Sequence, residues 1–190
     1  LAAADALTLG TAITGQLSSS SDVDTYKFTA SAAGVVTLSF DSPLNSSLDY
    51  FGFGVYDSSG SMLGFYRTGL DRTVNLAAPS AGTYYVGVFS STYYSNSNYS
   101  LTVNHIAGST AGFEVEGNGT FATANPLTLG TAISGQLLDP SDIDTYKFTV
   151  NAAGTVTLAF DSPLSSSLDY FGLGLSVSYT HLTLPTNREV

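Results

Sequence analysis

The chain has 190 residues, of which 43% are apolar and 11% are charged, and its formal net charge is −10 at neutral pH. The apolar fraction is large enough for a packed core, and the negative charge argues against nucleic acid and anionic membranes as partners. The sequence contains no Cys, which excludes disulfides and thiolate chemistry, and no apolar run long enough to insert into a bilayer. His105 and His181 are its two histidines, and there is no Gly-x-Ser-x-Gly turn, so we expect no enzymatic activity.

Eight short segments show the alternation of apolar and polar residues that is typical of β-strands. They are residues 11–17, 25–29, 35–40, 50–56, 62–66, 72–76, 83–89 and 99–103, and turns rich in Gly, Ser and Asn separate them. In the third segment, Val36, Leu38 and Phe40 share one face, and no segment shows a sustained helical period. The pattern predicts an all-β fold, an antiparallel β-sandwich or jelly-roll-like domain.

An internal repeat organises the chain. Residues 7–54 recur as residues 127–174, with 37 of the 48 positions identical. An offset of 120 residues is the size of a whole domain. We therefore predict a first β-sandwich over residues 1–106, a linker over 107–112 and a truncated second copy over 113–175. Two interpretations of residues 104–124 remain open. The whole segment is a flexible linker, or its later part is the start of the second domain.

Residues 176–190 depart from the repeat. They are similar to the translated adapter sequences found at the ends of metagenomic assemblies, so we expect a non-native tail and a chain that is a fragment of a longer protein.

Four motifs follow one another in the first copy. They are Asp22-x-Asp24-x-Tyr26-x-Phe28, Ala33-Gly34-x-Val36-x-Leu38, Tyr56-Asp57-Ser58-Ser59-Gly60 and Ala81-Gly82-Thr83-Tyr84-Tyr85-Val86. Their order and spacing resemble the bacterial pre-peptidase C-terminal domain, a β-sandwich appended to secreted peptidases and other exported proteins. The resemblance covers nearly all of residues 7–103 and the first half of a second domain.

The resemblance implies a non-catalytic accessory module of a secreted, extracellular bacterial protein, located in the medium or at the cell surface. Such a module would aid export, stability or attachment to a substrate or matrix, next to other domains of the same parent chain. One alternative is an adhesin module that binds polysaccharide or a collagen-like matrix. Another is a fragment of a secreted peptidase whose catalytic domain lies outside this sequence.

Some members of this family, among them collagen-binding modules of secreted bacterial collagenases, bind calcium. Their ligands come from an acidic segment before the first strand and from acids before an early strand. The corresponding residues of the second copy are Glu114, Glu116, Asn118, Asp142 and Asp144. The first copy retains only Asp22 and Asp24. Gly117 stands where the family has Pro, which we expect to loosen the segment.

The chemistry of these residues agrees with a Ca²⁺ site. In an extended segment, residues i and i+2 point to the same side with Cα atoms about 6.6 Å apart, so the two acidic pairs hold like charges together. Ca²⁺ accepts about six to eight oxygen ligands, whereas Zn²⁺ would require His or Cys. An EF-hand is excluded because Tyr146 and Lys147 occupy loop positions that need a ligand and a Gly. The alternative is that an Asp-x-Asp pair before a strand caps a turn.

Three tyrosines flank the polar loop at residues 95–98, namely Tyr93, Tyr94 and Tyr99. Exposed Tyr rings are efficient contact residues, so these three are candidates for binding polysaccharide or collagen. The alternative is that they are edge-strand and corner tyrosines of the sandwich.

Overall fold

The computed structural model describes residues 3–163 and 170–177. In this part of the chain the regular structure is entirely β, which confirms the predicted fold class. The strands are β1 (Asp5–Ala6), β2 (Ile13–Gly15), β3 (Val23–Ala30), β4 (Gly34–Asp41), β5 (Ser46–Tyr56), β6 (Met62–Gly69), β7 (Arg72–Ala78), β8 (Gly82–Ser90), β9 (Tyr99–Ala107), β10 (Asn125–Pro126) and β11 (Tyr146–Lys147). Among the described residues, no helix is long and apolar enough to cross a membrane.

All eight predicted strands are present as β2 to β9, most of them longer at one or both ends than the alternation indicated. The two-residue β1 was missed because so short a segment shows no alternation. His181 and most of the predicted tail over residues 176–190 lie outside the described residues.

Two sheets form the first sandwich. One has the order β1-β3-β8-β5-β6 and the other the order β2-β9-β4-β7. The strands pair antiparallel, except that β1 runs parallel to β3. Strand β6 therefore lies at one edge of the five-stranded sheet.

The core lies between the two sheets and has an aromatic centre. The side chains of Val36, Leu38 and Phe40 are fully buried, as their alternation predicted. The Phe40 ring stacks on the rings of Phe53 and Tyr99, with centroids 5.3 Å away in each case. Burying one such side chain contributes about 1.5–3 kcal/mol, so this cluster is a main source of stability for the sandwich.

The chain divides into two compact units, Leu1–Val150 and Asn151–Val190. The first unit contains the sandwich and the beginning of the second copy. There, β10 pairs in parallel with β11, with Asn125 opposite Tyr146, as Asp5 lies opposite Tyr26 in the first copy. The two copies thus begin with the same local pairing.

The second unit shows the same apolar sequence without a covering sheet. Phe160, the counterpart of Phe40, is 49% exposed, and its ring packs on that of Phe171, with centroids 5.2 Å apart. In the first copy, Phe40 lies on β4, which is paired with β7 and β9 and packed against β5. Within the described part of the second unit, residues 151–163 and 170–177, no strand forms.

Candidate metal centre

The acidic segment of the second copy is fastened to the rest of that copy by backbone and side-chain hydrogen bonds. The Glu114 amide donates to the Ser134 carbonyl over 2.9 Å. The side chain of Asn125 holds the next residue, since its Oδ1 accepts from the Val115 amide at 2.8 Å and its Nδ2 donates to the Val115 carbonyl at 3.3 Å. These bonds fix the backbone between Glu114 and Glu116.

Gly117 provides a turn that follows the two glutamates. Its φ is +91°, in the left-handed region that favours glycine and that proline, locked near −65°, does not reach. Gly117, at the position where the resembling family has Pro, thus forms a left-handed turn. The turn brings the Asn118 side chain inside, where it is 1% exposed.

Three carboxylates converge at this turn. Glu116, Asp142 and Asp144, which we call the acid cluster, each offer one oxygen within 4.8 Å of the other two. Glu114 borders the acid cluster, since burial and with it the charge of Asp144 raise the pKa of its carboxyl, and Asn118 Nδ2 donates to Glu114 Oε2 at 3.4 Å. The structure thus brings together all five residues predicted as ligands in the second copy.

Several oxygen atoms at this site are buried without a hydrogen-bond partner. They are Oε1 of Glu116, Oδ1 of Asn118 and Oδ1 of Asp144. An unpaired buried acceptor costs about 1–3 kcal/mol, so a cation or ordered water that satisfied these three oxygens would stabilise the site. All three atoms are oxygen acceptors, which is the ligand type that hard cations prefer.

Burial and mutual repulsion disfavour the charged forms of the site. Burial, with the Asp144 charge adding to it, raises the pKa of Glu114 to about 8. Burial and the charges of Asp142 and Asp144 raise the pKa of Glu116 to about 7. The pKa of Asp144 is also raised, again mainly by burial. A bound cation would reverse this preference, because it stabilises the carboxylate forms.

Glu114 also connects the site to the strand region that follows. Its Oε1 accepts from the Gln136 amide, and its Oε2 accepts from the Tyr146 hydroxyl at 3.0 Å. Gly135 is needed beside this carboxyl, since a Cβ there would lie 2.5 Å from the Tyr146 hydroxyl and 2.7 Å from Glu114 Oε2. Sequence reasoning missed Gly135, Gln136 and Tyr146 as parts of the site. The available signal was that Gly-Gln-Leu and Asp-x-Asp-x-Tyr both recur unchanged in the two copies.

The corresponding acids of the first copy have different partners. The Asp22 carboxylate accepts from the Ser18 amide and hydroxyl, both at 2.7 Å, and these bonds lower its pKa. Asp24 accepts from the Tyr99 hydroxyl at 2.5 Å. Among the described residues, no group of three metal-ligating side chains includes either aspartate. The geometry at Asp22 is that of the turn-capping alternative.

Tyr99 in the first copy takes the place that Glu114 has in the second. A Cβ at Gly15 would lie 2.4 Å from the hydroxyls of both Tyr26 and Tyr99, just as a Cβ at Gly135 would meet Glu114. The Tyr26 and Tyr99 hydroxyls are 2.8 Å apart. Tyr99 is 1% exposed, so its predicted role as a surface contact residue is wrong. Its ring is buried in the core because Tyr99 lies on the inward face of β9, which it shares with the buried Leu101 and Val103.

Tyr93 and Tyr94 do reach the surface, with exposed fractions of 45% and 40%. The Tyr93 ring packs on Tyr50, with centroids 5.4 Å apart, and the Tyr94 hydroxyl donates to the Leu17 carbonyl at 3.2 Å. Both rings are therefore held in place while one side stays accessible.

Comparison with known proteins agrees with the sequence motifs. Residues 22–90 match the family model of the bacterial pre-peptidase C-terminal domain. The predicted resemblance is confirmed. Among solved structures, the pre-peptidase C-terminal domain of a collagenase from Bacillus anthracis is similar, with 23% identity and a TM-score of 0.43 over 53% of this chain and 94% of that one. No curated protein matches the sequence.

Proposed function

We propose that this chain is a non-catalytic accessory module of a secreted bacterial protein, and that Ca²⁺ stabilises the start of its second repeat. The match of residues 22–90 to the pre-peptidase C-terminal domain supports the accessory and extracellular role. The observation that carries the calcium proposal is the convergence of the acid cluster with the buried, unpaired oxygen of Asn118.

The donor set fits calcium better than other common metals. Three carboxylates and one amide oxygen are hard ligands, and Ca²⁺ tolerates irregular geometry and bidentate carboxylates. Mg²⁺ requires a near-ideal octahedron and retains its waters, and Zn²⁺ prefers nitrogen and sulfur ligands. Glu116, Asn118, Asp142 and Asp144 would hold the ion. Glu114 would act as a positioning residue, because both its oxygens already accept hydrogen bonds.

The ion would tie two distant parts of the chain together. Glu116 precedes β10, whereas Asp142 and Asp144 directly precede β11. Cross-linking them restrains the acidic segment in the folded state, as a disulfide does in other exported domains. A ligand that binds only the native state stabilises it by about 2.7 kcal/mol at a hundredfold excess over Kd.

Calorimetric titration of the full chain with Ca²⁺, after treatment with a chelator, tests this proposal. We expect binding to the wild-type chain and at least tenfold weaker binding to Glu116→Gln. Asp41→Asn is the matched control, because Asp41 is an exposed acid at the end of β4, away from the acid cluster. An unchanged melting temperature with Ca²⁺, together with no heat of binding, would contradict the proposal.

An adhesive role is the second candidate, and the fixed, accessible rings of Tyr93 and Tyr94 favour it. Rigid aromatic side chains lose little conformational entropy when a sugar ring or an extended peptide packs on them. Pull-down with insoluble polysaccharides and with collagen would detect such binding. Tyr93→Ala with Tyr94→Ala should abolish it and Leu70→Ala, at another exposed apolar position, should not. Retention that is equal in all variants would remove this candidate.

A further inference from the structure

Strand β6 is the edge of the five-stranded sheet, and β5 is its neighbour on the inner side. An edge strand turns alternate backbone N–H and C=O groups away from its partner, where they can pair with another chain. Phe65 is such a residue, because both of its backbone polar groups bind outside the sheet. Natural proteins protect these edges from uncontrolled pairing. The group that binds the backbone of Phe65 therefore shows how this edge is covered.

That group is the side-chain amide of Gln136 in the second copy. Its Oε1 accepts from the Phe65 amide at 3.0 Å, and its Nε2 donates to the Phe65 carbonyl at 2.7 Å. These are the two bonds that a residue of a neighbouring antiparallel strand would make. Only an amide side chain offers one donor and one acceptor in this spacing, so Gln136 replaces one residue of a strand.

Further contacts place the start of the second copy against the same edge. The backbone amide of Gln136 donates to Glu114, which joins the contact between Gln136 and Phe65 to the acidic segment. Burial raises the pKa of Tyr66, the next residue of β6, and the nearby charges of Glu114 and Glu116 add to this rise. Farther along β6, the outward carbonyl of Arg67 accepts from the Arg72 guanidinium at 2.7 Å. The edge is thus covered by side chains along two successive outward residues.

We propose that the outer edge of β6 is the docking surface for the following repeat, and that the Gln136 amide fixes that repeat on Phe65. The glutamine is present in both copies, but in the first copy Gln16 donates to the carbonyl of Asn96, inside the first sandwich. The start of a following repeat joined in this way is held on β6 itself and not only by a flexible linker. The contact is made by Gln136 and β6 themselves and does not require a metal ion.

Amide hydrogen exchange followed by NMR on the ¹⁵N-labelled full chain, with chelator present, tests this inference. In wild type we expect the Phe65 amide to be protected although it faces away from β5, because it donates to Gln136 Oε1. Gln136→Ala should accelerate its exchange at least tenfold, whereas Gln16→Ala should leave it unchanged. The Tyr66 amide faces β5 and serves as an internal control for the integrity of the sheet. A Phe65 exchange rate that is the same in Gln136→Ala as in wild type would overturn the proposal.

A second measurement keeps the test decisive if Gln136→Ala also loosens the sheet. The sequence has no Cys, so spin labels at Ser58→Cys and Thr131→Cys report one distance between the β5–β6 turn and the second copy. We expect a narrow distance distribution in otherwise wild-type protein and a broad one with Gln136→Ala. A broad distribution in both would refute docking. Calcium titration of the same samples separates the two proposals. If the chain binds Ca²⁺ but the Phe65 amide is not protected from exchange, only the docking proposal is refuted. If the Phe65 amide is protected but the chain does not bind Ca²⁺, only the calcium site is refuted.

Discussion

Replacing Gly135 by Ala should weaken calcium binding without altering any charge. Gly135 lies against the Tyr146 hydroxyl and the carboxyl of Glu114, the residue that borders the acid cluster. Gly15, at the same position of the first copy, lies equally close to the hydroxyls of Tyr26 and Tyr99. Both copies therefore use the absence of a side chain to bring polar groups together.

The expected magnitude follows from the distances. A Cβ at Gly135 would be 2.7 Å from Glu114 Oε2 and 2.9 Å from its Cδ, whereas non-bonded heavy atoms settle at about 3.5–4.0 Å. The carboxyl must therefore retreat by roughly 0.8 Å, which disturbs the hydrogen bonds that it accepts from the Gln136 backbone and the Tyr146 hydroxyl. Disturbing a residue that orients metal ligands typically costs 10–100-fold in affinity, or about 1.4–2.7 kcal/mol.

Isothermal titration of the full-length Gly135→Ala variant with Ca²⁺ measures this loss directly. Gly82→Ala is the matched control, because a Cβ there meets no atom within 4 Å and the residue does not have a left-handed backbone. We expect wild-type affinity for the control and at least tenfold weaker binding for Gly135→Ala. If both variants bind within twofold of wild type, the carboxyl of Glu114 does not position the site and this reasoning fails.

Three further outcomes are expected. Burial raises the pKa of Glu114 to about 8 and that of Glu116 to about 7, above their unfolded values. The metal-free protein should therefore lose stability as the pH rises from those unfolded values to about 8. Ca²⁺ should raise the melting temperature more at about pH 8 than at about pH 5, and an equal rise at both would be inconsistent with this reasoning. Tyr99→Phe should cost about 1–3 kcal/mol in urea unfolding, since it leaves buried partners without a donor, whereas Tyr93→Phe at the surface should be near neutral. Phe40→Ala should cost about 3–5 kcal/mol and Phe160→Ala, its repeat counterpart, under about 0.5 kcal/mol; similar costs would show that both rings are buried.

The strands were the most predictable part of the fold. Alternation identifies a strand that has one buried face, and in β4 it assigned Val36, Leu38 and Phe40 to the core correctly. Strand ends were less certain because backbone pairing continues beyond the alternating residues, as in β9, which extends past the exposed Ile106 to Ala107. The pairing order of the sheets was not predicted at all, since it depends on contacts between distant segments.

The candidate site shows the same division between local and distant information. That Glu114 and Glu116 meet Asp142 and Asp144 was anticipated from a family resemblance and from the charge chemistry of each pair. The side chains that support them were not, because an uncharged Gly, Gln or Tyr carries no metal-binding signal until its neighbours are known. The burial of Tyr99 was missed for a related reason, since a Tyr beside a polar loop is expected to be exposed unless the inward face of its strand is known.

The two copies show that a strand sequence alone does not bury its apolar residues when the neighbouring strands are absent from around it. Phe40 and Phe160 stand in nearly identical sequences, yet one is 1% and the other 49% exposed. Strand β4 acquires its burial from β7 and β9, which pair on both of its sides, and from the facing sheet. By contrast, the pairing of Asn125 with Tyr146 forms in the second copy as it does at the equivalent positions of the first, since it needs only segments that both copies contain. Local pairing therefore forms without the complete sandwich, and so does the acid cluster, which also needs Glu116 from the segment before the repeat. The hydrophobic core, by contrast, belongs to the complete sandwich.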